Sequence, residues 1–206
     1  MITKKPKNRY IIYIGTTKIV FLKAQVSISG ETEVMSLSAR LADGFERGIV
    51  KDLAQASDTL SLAVRDVVTE EEQGILSCRV VVSNSYLKNY TFQSSIYFQD
   101  RPHALTLRDV RAAIAQTRSV ATIPLQEVIV QAMPQSFIVN DLNGIQNPLG
   151  LEAGRIGVTL RLLTLDFLVY SNLLKIFERC EIEVLDVIPC VLAAAESVLS
   201  AQEKRE

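Results

Sequence analysis

The sequence predicts a mixed α/β unit of element order βββαβαβα, interrupted by a separate strand–helix–strand–strand unit of α+β type. Three observations predict it. Period-two alternation runs through residues 10–41, with tight connections between the alternating stretches. Farther along, apolar residues at spacings of three and four alternate with short apolar runs, the pattern of helices between buried strands. Residues 84–162 follow neither rhythm and carry their own caps, turns and apolar faces.

Residues 10–14 form a short apolar strand ending at Gly15. From Val20, the residues Val20, Leu22, Ala24, Val26 and Ile28 face one way and Lys23, Gln25 and Ser27 the other. Gly30 marks a turn, and Met35, Leu37, Ala39 and Leu41 alternate again, giving a three-stranded antiparallel meander. Gly44 and Gly48 break the pattern. Asp52 then starts a helix, with Gln55 placed for a capping box, and Leu53, Ala56, Leu60, Ala63, Val64 and Val67 form its apolar face. The acidic run from Glu70 to Glu72 reads as a solvated loop, and 78–82 as a buried strand.

Within the interruption, 89–98 reads as a strand with exposed polar positions and 100–103 as a loop. Thr106 caps a helix with Leu107, Val110, Ala113 and Ile114 on its apolar face. Two further strands, 128–139 and 155–164, flank the loop "NDLNGIQNPLGLEAG". That loop reads equally as a contact surface or as a shaped connector. Asp166 then caps a helix carrying Tyr170, Leu173, Leu174 and Phe177. A strand follows at 182–188, Pro189 suits the first helical position, and Val191, Leu192, Ala194, Ala195, Val198 and Leu199 are expected to bury most of the last helix. The inserted unit leaves between a strand and the next helix, a usual place for functional additions in such sheets. The expected division is 1–83 with 163–206 for the first unit and 84–162 for the second.

Bulk composition excludes several function classes. The 22 basic residues nearly cancel the 23 acidic ones, so nucleic acid is not an expected partner. The basic cluster Lys4, Lys5, Lys7 and Arg9 reads as a solvated tail. No apolar run approaches the roughly 18–20 residues of a membrane span, and no secretory signal pattern opens the chain. A cytoplasmic protein is expected. Cys78, Cys180 and Cys190 show no Cys-x-x-Cys spacing and read as buried free thiols.

Chemistry-bearing candidates are few. "IGTTKIV" places Gly15, Thr16, Thr17 and Lys18 between two strands, the form of a phosphate-binding turn and also of a plain hairpin. Nucleotide-binding turns of this kind carry a carboxylate just before the glycine for Mg²⁺ or water, and here Tyr13 stands there. The nine glycines include no Gly-Gly pair that would make a second such turn. His103, the only histidine, follows a proline in a polar loop and reads as a surface residue, so no serine–histidine–acid set is expected. Asp52 reads as a helix cap. The expectation is no catalytic residue, no metal site, and a degenerate phosphate loop at Gly15–Lys18.

Taken in sequence, these stretches resemble the N-terminal half of FtsA, the actin-like family of bacterial cell division. "IGTTKIV" resembles its first phosphate loop, and "GFERGIVKDL" its Gly-x-x-x-Gly-x-Val-x-Asp stretch. "MPQSFIVNDLNGIQNPLGLEAGRIGVTLRLLT" resembles its Pro-Gln, Gly-Ile-x-Asn-Pro-x-Gly and arginine run, the most specific of the matches. "ERCEIEVLDVIPCVLAAAESVLSAQEK" resembles its helix–strand–helix. The resemblance implies an actin/ribonuclease-H-like subdomain (1A type) with an inserted SHS2 subdomain (1C type).

It also implies that family members continue from about Arg205 into a second half, with the other phosphate loop, the adenosine site, the FtsZ-binding surface and an amphipathic membrane helix. The expectation is therefore an interaction module at the division septum. It would engage FtsA-like subunits and other division proteins through 84–162, and lack the FtsZ-binding half, a direct membrane anchor and ATPase activity. Recruitment to the inner face of the cell membrane would come through partners, and ATP would be held only with a complementary second lobe. On the same reasoning the chain is expected to cap FtsA filaments. The alternatives are one lobe of an actin-, Hsp70- or sugar-kinase-like phosphotransfer protein needing a partner chain, or a PilM-like pilus assembly protein. The glycine–proline loop argues against both.

Overall fold

The computed structural model describes residues 7–27, 30–69, 76–83, 85–98, 101–200 and 202–205. The chain divides into two compact units, Met1–Tyr86 with Asp166–Glu206, and Leu87–Leu165.

The first unit is built on a five-stranded mixed sheet. Its strands are β1 (Lys7–Ile14), β2 (Lys18–Val26), β3 (Thr32–Leu41), β6 (Leu76–Val82) and β13 (Ile182–Pro189), in the order β13-β6-β1-β2-β3. The first three form the antiparallel meander, and β6 and β13 extend it in parallel. A two-residue pair, β4 (Phe45–Glu46) and β5 (Ile49–Val50), makes a small hairpin before helix α1 (Leu53–Arg65). Helix α3 (Phe167–Arg179) packs on α1. Ile12, Ile14, Ile19, Phe21, Cys78, Val80, Ala56, Leu60, Ala63, Leu173, Ile176 and Phe177 fill the core between the sheet and these helices, each at most 3% exposed.

Several elements depart from the sequence reading. In β2 the buried side chains are Ile19 and Phe21, on the Lys23 side, and Ala24 on the expected face, while Val20 and Leu22 are half-buried. Both faces of the strand are apolar near its start, so alternation at its far end pointed to the less buried one. Ile28, Lys4, Lys5 and the Glu70–Glu72 run lie outside the described residues. Asp52 does cap α1, accepting from the N–H groups of Ala54 and Gln55. Its own N–H goes to the Gly44 carbonyl, so a Gln55 capping box has no donor left to serve. Pro189 is the cap of α4 (Cys190–Val198), with extended backbone, rather than its first residue. No residue of α4 is buried: Val191 is 56% and Val198 76% exposed, although the helix packs on β13 and β6. Of the three free cysteines Cys78 is buried, and burial alone pushes its thiol up to about 12, while Cys180 and Cys190 are half-buried.

The second unit is a four-stranded antiparallel sheet in the order β10-β9-β12-β7. Its strands are β7 (Lys88–Tyr97), β9 (Glu127–Val139), β10 (Leu142–Ile145) and β12 (Arg155–Asp166). Helix α2 (Leu107–Val120) packs against it. Thr106 and Asp109 form a full capping box at its start. Val110, Ala113, Phe137, Val139, Ile156 and Val158 make the core of this unit, whereas Leu107 is half exposed. The glycine–proline loop holds structure of its own. It contains β10 and β11 (Glu152–Ala153), and β11 pairs with β8 (His103–Ala104). Main-chain bonds from Leu105 to Leu151 and from Gly150 to Leu105 pin it further.

Glu127 ties three strands of this unit together. Its side chain is 4% exposed and accepts from Lys88 Nζ, Tyr90 Oη and Thr164 Oγ1. The lysine first, then the threonine and the tyrosine, hold its carboxyl below the usual glutamate range. A group depressed in the folded state stabilises at pH above its unfolded value and loses that contribution as pH falls through the folded one. Stability is therefore expected to be flat near neutrality and to fall below about 4.5, the unfolded value. Denaturation midpoints of Glu127→Gln against pH should show a shallower acid limb than the parent. An unchanged slope would remove Glu127 from the acid response.

Candidate functional site

The turn Gly15–Lys18 closes the β1–β2 hairpin, whose last pair is Ile14 with Ile19. Gly15 N–H donates to the Lys18 carbonyl at 2.9 Å, so that donor is spent inside the turn. Gly15 is buried, whereas Thr16, Thr17 and Lys18 are exposed. The ring of Tyr13 lies on Gly15: a Cβ placed there would sit 2.7 Å from both Tyr13 Cε1 and its hydroxyl oxygen. A phosphate reaches such a turn through the open face of the glycine. Here a phenol covers that face and brings no charge to replace the carboxylate.

The second stretch singled out in the sequence lies beside it. Ala42 N–H donates to the Thr17 carbonyl at 3.0 Å, and Phe45 N–H to the Ala42 carbonyl at 3.0 Å. Gly44 in turn accepts from both Lys51 and Asp52 N–H. Thus Gly15–Lys18 and the Gly44–Asp52 segment are stitched through main chain. Asp52 is nevertheless committed to α1 and does not supply a free carboxylate to the turn. Among the described residues no group of three or more His, Cys, Asp or Glu side chains is arranged to hold a metal ion.

His103 is not a plain surface residue. Its ring packs on Phe98 with centroids 4.4 Å apart, and Nε2 lies 3.4 Å from the Asp109 carboxylate. That carboxylate also accepts from Thr106 N and Oγ1, which hold it below the ordinary aspartate range. The histidine thus extends a helix cap.

The second unit presents another candidate surface. Tyr97 is 70% and Leu142 66% exposed, and the Arg155 guanidinium lies over the Tyr97 ring at 5.4 Å from its centroid. Asn140 takes a positive φ of 52° at the β9–β10 turn, and its amide bonds Gly154 N–H and the Glu152 carbonyl. Pro148 is buried while Leu149 and Leu151 are partly exposed. The loop is thus a pinned shelf with apolar side chains on its outside. Sequence reasoning missed one further feature, the exposed apolar residues Val34, Leu37 and Leu41 of β3.

A mixed sheet of this order, interrupted by a strand–helix–strand–strand unit, defines an actin-like subdomain carrying an SHS2 insertion. Residues 84–164 match the family model of the SHS2 domain inserted in FtsA. Across 93% of its length the chain is 25% identical to the cell division protein FtsA of Pseudomonas aeruginosa, covering 45% of that protein. It is 28% identical to FtsA of Enterococcus faecalis over 93% of the chain and 43% of the relative. The chain spans about half the length of these curated relatives. Among solved structures it superposes on a PilM–PilN type IV pilus biogenesis complex with TM-score 0.58 at 11% identity, over 91% of this chain and 49% of that one. That likeness is one of fold. The chain is similar to the N-terminal half of FtsA, and residues 84–164 carry the match to the SHS2 domain inserted there.

Proposed function

We propose that this chain is a protein-interaction module of bacterial division, acting at the septum through residues 84–162, and that the 206-residue polypeptide has no ATPase activity of its own. The partners are FtsA-like subunits and other division proteins. The observation that carries the reading is the contrast between the two sites. The phosphate-loop turn is closed by its own hydrogen bond and roofed by Tyr13. The SHS2 unit has its own core, a pinned loop and an exposed Tyr97 beneath the half-buried Arg155, residue types enriched where interfaces concentrate binding energy.

Calorimetry of the polypeptide with ATP and Mg²⁺ is expected to show no micromolar binding. Tyr13→Asp is expected not to restore hydrolysis, since one carboxylate supplies neither a second phosphate loop nor an adenosine site. Co-sedimentation with full-length FtsA of the same cell on lipid is expected to retain the polypeptide, and Tyr97→Ala with Arg155→Ala to release it. Micromolar ATP binding with turnover would replace this reading by the phosphotransfer one. Absence of retention would remove the interaction role.

A further inference from the structure

We propose that β3 is a self-association edge through which two copies of this chain pair as an isologous antiparallel dimer. β3 ends the five-stranded sheet, so one side of its main chain has no strand partner among the described residues. Leu37, Ala39 and Leu41 share a face with their β2 partners Leu22, Val20 and Lys18, and Leu37 and Leu41 are 56% and 71% exposed. Edge strands are normally blunted by lysine, proline, bulges or inward charges. The pairing with β2 skips Met35, placing a bulge there, which confines a regular edge to Ser36–Leu41.

That six-residue stretch, Ser-Leu-Ser-Ala-Arg-Leu, is complementary to itself. A two-fold axis through Ala39 sets Leu37 of one copy opposite Leu41 of the other, twice, around an Ala39–Ala39 centre. On the other face it sets Ser38 opposite Arg40. The one charge in the stretch is already neutralised, because Asp66 accepts from Arg40 Nε and Nη2 at 2.9 Å each. Pairing therefore opposes no like charges. The other end of the sheet offers no such fit. β13 reads Ile-Glu-Val-Leu-Asp-Val-Ile-Pro, its pairing with β6 skips Leu185, and it ends in a proline, so it has no comparable self-complementary run. A second copy is thus the occupant that the β3 chemistry selects, and the interface is isologous, so it closes at two.

Sedimentation equilibrium of the 206-residue polypeptide is expected to show a monomer–dimer transition. Leu37→Lys with Leu41→Lys is expected to abolish the dimer and leave the circular dichroism spectrum unchanged, since both positions face solvent. Directly opposed residues lie about 4.5–5.5 Å apart across an antiparallel pair, so Ala39→Cys should cross-link under mild oxidation. Leu41→Cys should not cross-link faster than the parent, which controls for the native thiols. A monomer at every concentration, a dimer untouched by the lysine pair, or equal cross-linking at 39 and 41 would each overturn the proposal.

Discussion

Gly44→Ala is expected to destabilise the chain by about 3 kcal/mol or more, a loss large enough to threaten folding where total stability is about 5–15 kcal/mol. Gly44 has φ of +82°, where an L side chain costs roughly 1–2 kcal/mol. Space makes the case worse. A Cβ there would lie 2.3 Å from Ala56 N, and 2.8 Å from Ala56 Cα and the Asp52 carbonyl oxygen. All three are main-chain atoms in the first turn of α1, so no rotamer change relieves the clash. The Gly44 carbonyl also holds Lys51 and Asp52 N–H, and a shift would break both bonds. Gly30→Ala is the control: its φ is +87°, but nothing lies within 4 Å of the added carbon. Urea denaturation should show a much larger loss at 44 than at 30. Equal losses would mean that backbone strain alone, and not contact with α1, sets the cost.

The sequence made the strand order of the first unit legible because antiparallel neighbours need only short turns, and parallel ones need a helix between them. The caps were legible for the same local reason. Asp52, Thr106 and Asp166 each accept from main-chain N–H groups two or three residues on. What the sequence hid depends on distance or on covering. Glu127 finds its partners 37 and 39 residues away, with no local spacing to announce them. Alternation in β3 gives the parity of Leu37 and Leu41 but not whether anything covers that face, and the bulge at Met35 leaves no mark in composition. Helix α4 is apolar nearly all round, which reads as buried, yet none of its residues is buried where it packs on β13 and β6. For the phosphate-loop turn, the residue types told that Tyr13 brings no carboxylate. Only side-chain geometry shows its ring lying on Gly15.

Residues 84–164 expressed alone are expected to fold, and Ile156→Ala is expected to remove a large share of that stability. The segment closes its own core: Ile156 and Val158 are fully buried against Val110, Ala113, Phe137 and Val139. Its helix is capped internally by Thr106 and Asp109, and the Glu127 hydrogen bonds also stay inside it. At roughly 0.05–0.15 kcal/mol per residue, a unit of about 80 residues holds only about 4–12 kcal/mol. Truncating a fully buried isoleucine to alanine costs about 2–5 kcal/mol, from lost transfer energy and the cavity left behind. The variant segment therefore sits near its unfolding midpoint at the lower end of that range. Leu125→Ala, at a side chain 98% exposed, is expected to stay within about 0.5 kcal/mol of the parent. Circular dichroism and urea denaturation of the three segments make the comparison. An unfolded parent segment beside a folded full chain would show that the insert depends on the sheet unit for its stability. Equal midpoints for the two variants would show that its core does not close where Ile156 lies.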